Sequence, residues 1–163
     1  MMRAMDQRPL WTCPDCGQTF VTRNMWHSCC QFTEQDFFGE RAAQRALYRA
    51  FLAFVERFGP VTVNINKTRI SFQGRARFAG VVRVTKDGLV CGFWLKRRIE
   101  SPRFTRIEKL PPTDYVYTFR LTDPAQLDEE AAAWIAEAYE VGMQRWPPPE
   151  ASSPPARPPA HRR

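Results

Sequence analysis

The 163-residue chain has no run of about 18 apolar residues, so no segment has the length of a membrane-spanning helix. Its opening, MMRAMDQRPLWT, lacks the apolar stretch of a secretory signal, and the chain is expected to be soluble and cytoplasmic. Histidine is nearly missing: His27 and His161 are the two, and His161 stands in the tail. General-base work would therefore fall to Glu100, Glu108 or Asp114, or to a lysine such as Lys67. There is no phosphate-cradling glycine loop and no nucleophile elbow. Cys91 has no base near it in sequence, so this inventory argues against catalysis. Acidic residues are scarce in the middle of the chain, where 61–110 holds twelve Lys or Arg against three acids. The pattern reverses over 111–146, with seven acids against two arginines, so the net charge of +7 is concentrated in a basic centre.

What the chain does have is a cysteine cluster. Four of its five cysteines lie between positions 13 and 30. Without an export signal, a reducing compartment makes metal ligation a better reading than disulfides. Cys13-x2-Cys16 puts two thiolates on one tight turn, and His27-x-Cys29 returns two more ligands after a gap wide enough for a small hairpin. Cys30 competes with Cys29 for the fourth place, and Cys29 is preferred. Four sulfur and nitrogen ligands suit the tetrahedral preference of Zn2+ and leave no open position for water, which describes a structural site. Phe20 is spaced like the core phenylalanine of a Cys2His2 finger, but the gap before His27 is too short for a recognition helix.

Periodicity divides the rest. Thr33 and Asp36 have capping spacing for a short helical turn through Phe37 and Phe38, ending at Gly39. Leu47, Phe51, Phe54, Val55 and Phe58 form one helical stripe, stopped by Gly59 and Pro60. From Val61 the period becomes two: Val61, Val63 and Ile65, then Ile70 and Phe72, then Ala76, Phe78, Val82 and Val84, each alternating with polar neighbours. Asp87 and Gly88 mark a hairpin into Leu89, Cys91, Phe93 and Leu95. The stretch 100–114, broken by Pro102, Pro111 and Pro112, reads as a long basic loop before a fifth strand at 115–121. Asp123 and Pro124 open a second helix whose buried face is Leu127, Ala131, Trp134, Ile135 and Ala138, ending near Gly142.

The expected fold is α+β: a mostly antiparallel sheet of about five strands flanked by two helices, behind a small N-terminal zinc knuckle. The knuckle is expected over 1–32, the α+β domain over 33–146 and a disordered proline-rich tail over 147–163. Within the tail, 154–159 could serve as a polyproline ligand, though a plain solubilising tail is the preferred reading.

The strings LWTCPDCGQTF, NMWHSC, GPVTVNINKTRISF, RFAGV, GFWLKRRIESPRF and FRLTDPAQLDEEAAAWIAEAY resemble the bacterial family called domain of unknown function 5655, in a version preceded by a zinc knuckle. The resemblance covers roughly 10–142. It implies the same helix, sheet and helix, and it supplies no catalytic residue. A glycine follows the last knuckle cysteine in that pattern, which favours Cys29 as ligand; Cys30 is a departure from it.

Two partner classes fit. In the first, Lys67, Arg69, Arg75, Arg77 and Arg83 lie on the outer face of adjacent strands and continue into Lys96, Arg97, Arg98, Arg103 and Arg106, with Trp94 and Phe104 for stacking on nucleic acid. In the second, the knuckle or the acidic helix around Asp128, Glu129, Glu130 and Glu137 docks a protein or a small anion. Against the first stands the plain alternative that strand arginines only solvate a surface and Trp94 is core. Oligomeric state is not legible in the sequence.

Overall fold

The computed structural model describes residues 7–29 and 31–146; Cys30 and the expected tail lie outside them. The chain opens with a two-stranded antiparallel hairpin, β1 (Trp11–Thr12) and β2 (Thr19–Phe20). The short helix α1 (Glu34–Phe38) follows, with both halves of the Thr33–Asp36 capping box formed. Next comes α2 (Ala42–Glu56), whose buried residues Leu47, Tyr48, Phe51, Phe54 and Val55 include most of the stripe read from the sequence.

Six strands then build one antiparallel sheet: β3 (Thr62–Ile65), β4 (Ile70–Gln73), β5 (Arg77–Val84), β6 (Leu89–Leu95), β7 (Phe104–Leu110) and β8 (Asp114–Leu121). Their order is β3-β4-β5-β6-β8-β7, which puts β3 and β7 at the edges. The helix α3 (Glu129–Gly142) is the last element among the described residues.

The α+β class and the antiparallel sheet match the expectation, with three particulars corrected. The segment 100–114 is not a loop, because 104–110 forms β7 against β8. Prolines bracket this strand without entering it, and its charged residues suit an edge. The alternation expected in β5 is broken by two register shifts, one where Phe72 and Gln73 face Ala79 and Arg77, the other where Val81 and Arg83 face Cys91 and Val90. Each leaves one residue of β5 without a partner, as β-bulges do, so Phe78 and Ala79 are both buried while Val82 is turned outward. Finally, the second long helix does not start at Pro124. A 3-10 turn over Pro124–Gln126, capped by Asp123, comes first, and Asp128 caps α3 separately through the Ala131 N–H.

Both long helices pack on the same side of the sheet. Phe51 of α2 lies 5.3 Å from the ring of Phe72 and 6.0 Å from that of Phe119. Trp134 of α3 stacks on Phe93 at 5.6 Å and meets Phe104 at 4.7 Å. Burying each such ring contributes about 1.5–3 kcal/mol from area alone. Phe104, a stacking candidate in the sequence, is thus half-buried and packed against the apolar core, because Phe119 opposite it in β8 turns toward the helices. The segment from β6 to β7 is pinned over α3 by Arg97 on Glu137 at 2.8 Å and Arg103 on Asp128 at 2.9 Å. Beneath it, Ile99 N–H donates to the Tyr117 hydroxyl, which itself donates to the Arg97 carbonyl.

Candidate metal centre and open sheet face

Local chain geometry brings the four sequence-predicted ligands together. Cys13 N–H donates to the Gln18 carbonyl and Gly17 N–H to the Cys13 carbonyl, which folds the first two cysteines into a tight turn. Gly17 takes φ +74° there, a left-handed value that glycine adopts without steric cost. The hairpin then delivers the second half of the set: His27 lies 4.5 Å from the ring of Phe20.

The Sγ atoms of Cys13, Cys16 and Cys29 and a ring nitrogen of His27 lie within 4.8 Å of one another. Cys13 Sγ is 3.8 Å from Cys29 Sγ, and His27 Nε2 is 3.2 Å from Cys16 Sγ and 3.4 Å from Cys29 Sγ. A tetrahedron with metal–sulfur bonds of about 2.3 Å has edges of about 3.8 Å, so one ion fits among these atoms. The other ring nitrogen, Nδ1, faces the Met25 carbonyl at 2.7 Å. That bond holds the proton on Nδ1 and leaves the Nε2 lone pair for the metal. A peptide N–H from Cys16 pulls the Cys13 thiol down to about 7. The Met25 carbonyl raises His27 to about 9, and loss of solvent raises Cys29 to about 12. Four donors crowded this closely resist losing all their protons together, and a bound cation would supply the positive charge that favours it. Cys91 is elsewhere, fully buried in β6, where burial alone raises its thiol.

The knuckle is tied to the sheet. Gln73 Nε2 donates to the Thr19 carbonyl at 2.6 Å and Arg75 to the Arg8 carbonyl, while within the knuckle segment Gln31 closes on the Cys16 carbonyl at 2.9 Å. Arg75 also reaches Gln144, so it braces the knuckle against the end of α3 instead of facing outward.

The remaining basic candidates divide. Lys96 pairs with Asp114, Arg97 with Glu137, Arg98 with Glu100, Arg103 with Asp128 and Glu130, and Arg106 with Glu108. These pairs also occupy the acids weighed as bases and several acids of α3. By contrast, no carboxylate lies at ion-pair distance from Lys67, Arg69, Arg77 or Arg83 among the described residues. Lys67 sits in the turn after β3 and Arg69 immediately before β4. Arg77 and Arg83 lie in β5 on the face away from the helices, as does Arg120 of β8, opposite Val90. Trp94 shares that face, with the Arg77 guanidinium 4.9 Å from its ring centre. Sequence reasoning had the arginines of β5 and left out Arg120 and the glycines Gly80 and Gly92 between them. A lone glycine inside a strand is itself a signal of close approach.

Fold and cluster together define an α+β protein in which a four-residue Cys/His cluster, close enough to hold a metal ion, precedes a sheet that helices cover on one face. The chain belongs to the family described as Domain of unknown function (DUF5655), whose model matches residues 33–142. The knuckle precedes the matched region. No curated protein and no solved structure matches the chain.

Proposed function

We propose that this is a zinc-binding module that binds nucleic acid through the uncovered face of its sheet. The observation that carries the reading is the cluster of cationic side chains on and beside that face, Lys67, Arg69, Arg77, Arg83 and Arg120, with no carboxylate partner among the described residues, while the basic residues over α3 are neutralised within the chain. Unpaired guanidinium groups on a flat surface suit phosphates, which they contact in pairs of hydrogen bonds. Zinc is the ion that the donor set favours: three thiolates and an imidazole are soft to borderline ligands, and four of them complete a tetrahedron. The ion's role is structural, holding the hairpin that braces Gln73 and Arg75.

Anisotropy of labelled DNA and RNA with the metal-loaded protein tests this. A surface neutralising about five phosphates should lose on the order of 10²-fold in affinity between about 50 and 200 mM salt. The double change Arg77→Glu and Arg83→Glu should abolish binding. Absence of binding at low salt would sink the reading.

A second reading, docking of a protein partner, rests on the knuckle's surface, where Trp26 is 92% exposed and Met25 and Val21 are 41% and 39% exposed. It takes over if nucleic acid fails to bind.

A further inference from the structure

The centre of the open face is a depression, not a plane. Gly80 of β5 and Gly92 of β6 face each other across the strands, so two adjacent positions there carry no side chain. Neither can be filled without displacing its surroundings. A Cβ on Gly80 would stand 2.1 Å from the Ile70 carbonyl oxygen, and one on Gly92 3.2 Å from a Val82 methyl and 3.3 Å from the Tyr117 carbonyl oxygen. The walls are Trp94 and Val82, the latter 42% exposed because of the second bulge of β5. Over the Trp94 ring lies the flat guanidinium of Arg77, and Arg69 lines the same groove. Although Arg77 is exposed, partial loss of solvent over the Trp94 ring and, second, the neighbouring charge of Arg69 both disfavour its charged form. Two like charges over an apolar floor are an arrangement that an anion relieves.

We infer that this groove is a subsite for one unpaired base of a single-stranded nucleic acid, the ring lying over the Gly80–Gly92 floor beside the Arg77–Trp94 pair and the adjoining phosphate on Arg69. The inference rests on the nucleic-acid reading above and narrows it. The floor is apolar and flat, which suits the face of an aromatic ring. Indole and guanidinium planes are both among the side-chain surfaces on which unpaired bases stack. A duplex keeps its ring faces inside the stack and can offer this surface only phosphates. The groove is too shallow to enclose a free mononucleotide, so the neighbouring phosphates of a strand, on Arg83 and Arg120, supply the rest of the affinity.

The test compares three labelled ligands on the full metal-loaded chain at low salt: a short oligothymidylate, an abasic strand with the same number of phosphates, and a duplex of equal length. The base-bearing strand should bind roughly tenfold tighter than the abasic one, as expected when a base stacks. Trp94→Leu should erase that difference and leave abasic binding as it was. Val82→Glu, at an exposed rim position, should also erase it, which guards against a folding failure of the tryptophan variant. Arg69→Gln should weaken both single strands alike. Equal affinity for base-bearing and abasic strands, or a preference for duplex, overturns the subsite while the phosphate-binding face stands. Failure of all three ligands to bind overturns both.

Discussion

His27 uses its two ring nitrogens for different ends: Nδ1 is spent on the Met25 carbonyl, and that bond aims Nε2 at three sulfurs. Replacing the imidazole therefore removes a donor and the post that orients it. His27→Ala and Cys16→Ser are each expected to lower bound metal, measured by elemental analysis, from one equivalent per chain to near none. Cys91→Ser, far from the cluster, should leave one equivalent. Cys29→Ser against Cys30→Ser settles which of the neighbours serves, with loss expected for the first alone. At this scale the sequence was informative where chemistry is local. Ligand spacing of three, eleven and two residues speaks for itself, whereas Arg97 finds Glu137 forty positions away and Phe104 enters the core through a strand that prolines concealed. Neither of those can be read from neighbours in the chain.

The helices start on carboxylates. Asp36 completes the capping box of α1, and the Thr33 N–H, joined by the Thr33 hydroxyl, holds its carboxyl below the usual range. The Ala131 N–H does the same for Asp128 at α3, with Arg103 adding to it. A carboxyl whose folded pKa is depressed stabilises the fold above its unfolded value, near 3.8, and that stability is lost as pH falls through the folded value. Thermal midpoints followed from pH 6 downward by circular dichroism should therefore fall below about pH 4, and Asp128→Asn should flatten that fall. Element prediction succeeded where one period ran unbroken, as in α2, β6 and β8. At β5 it found the strand and its outward arginines but misassigned the facing of Ala79, Val81 and Val82, because two bulges shift the inward and outward sets and nothing in a period-two pattern announces them. It also mistook the start of α3, since Asp123 and Asp128 are both good caps and only the packed structure separates the 3-10 turn from the helix.

Across the whole molecule, the covered face of the sheet and the knuckle are held by different forces. Ring packing secures the first, and a few hydrogen bonds around a candidate metal secure the second. Chelation should accordingly act on one part. Hydrogen exchange after metal removal is expected to show lost protection at Cys13 and Gly17, whose N–H groups close the knuckle turn, with protection retained across β5, β6 and β8. Global unfolding on chelation would show that the knuckle supports the sheet more than its contacts indicate. The α+β class was legible because it follows from counting alternating and helical segments. The one-sided arrangement was not, since which face the helices cover depends on contacts such as Phe51 with Phe119 that no local pattern encodes.

The two edges of the sheet remain. Along β3 the chain closes its own border, where Phe32 N–H donates to the Ile65 carbonyl. Along β7 no such cover is present among the described residues, and the strand instead carries Arg106, Glu108 and Lys109, all exposed. A second copy approaching this border to extend the sheet would have to strip water from those charges before gaining a backbone hydrogen bond. The segment that looked like a loop for its charge and flanking prolines is thus the strand that lines this border with charge, the device by which exposed sheet edges resist edge-to-edge pairing.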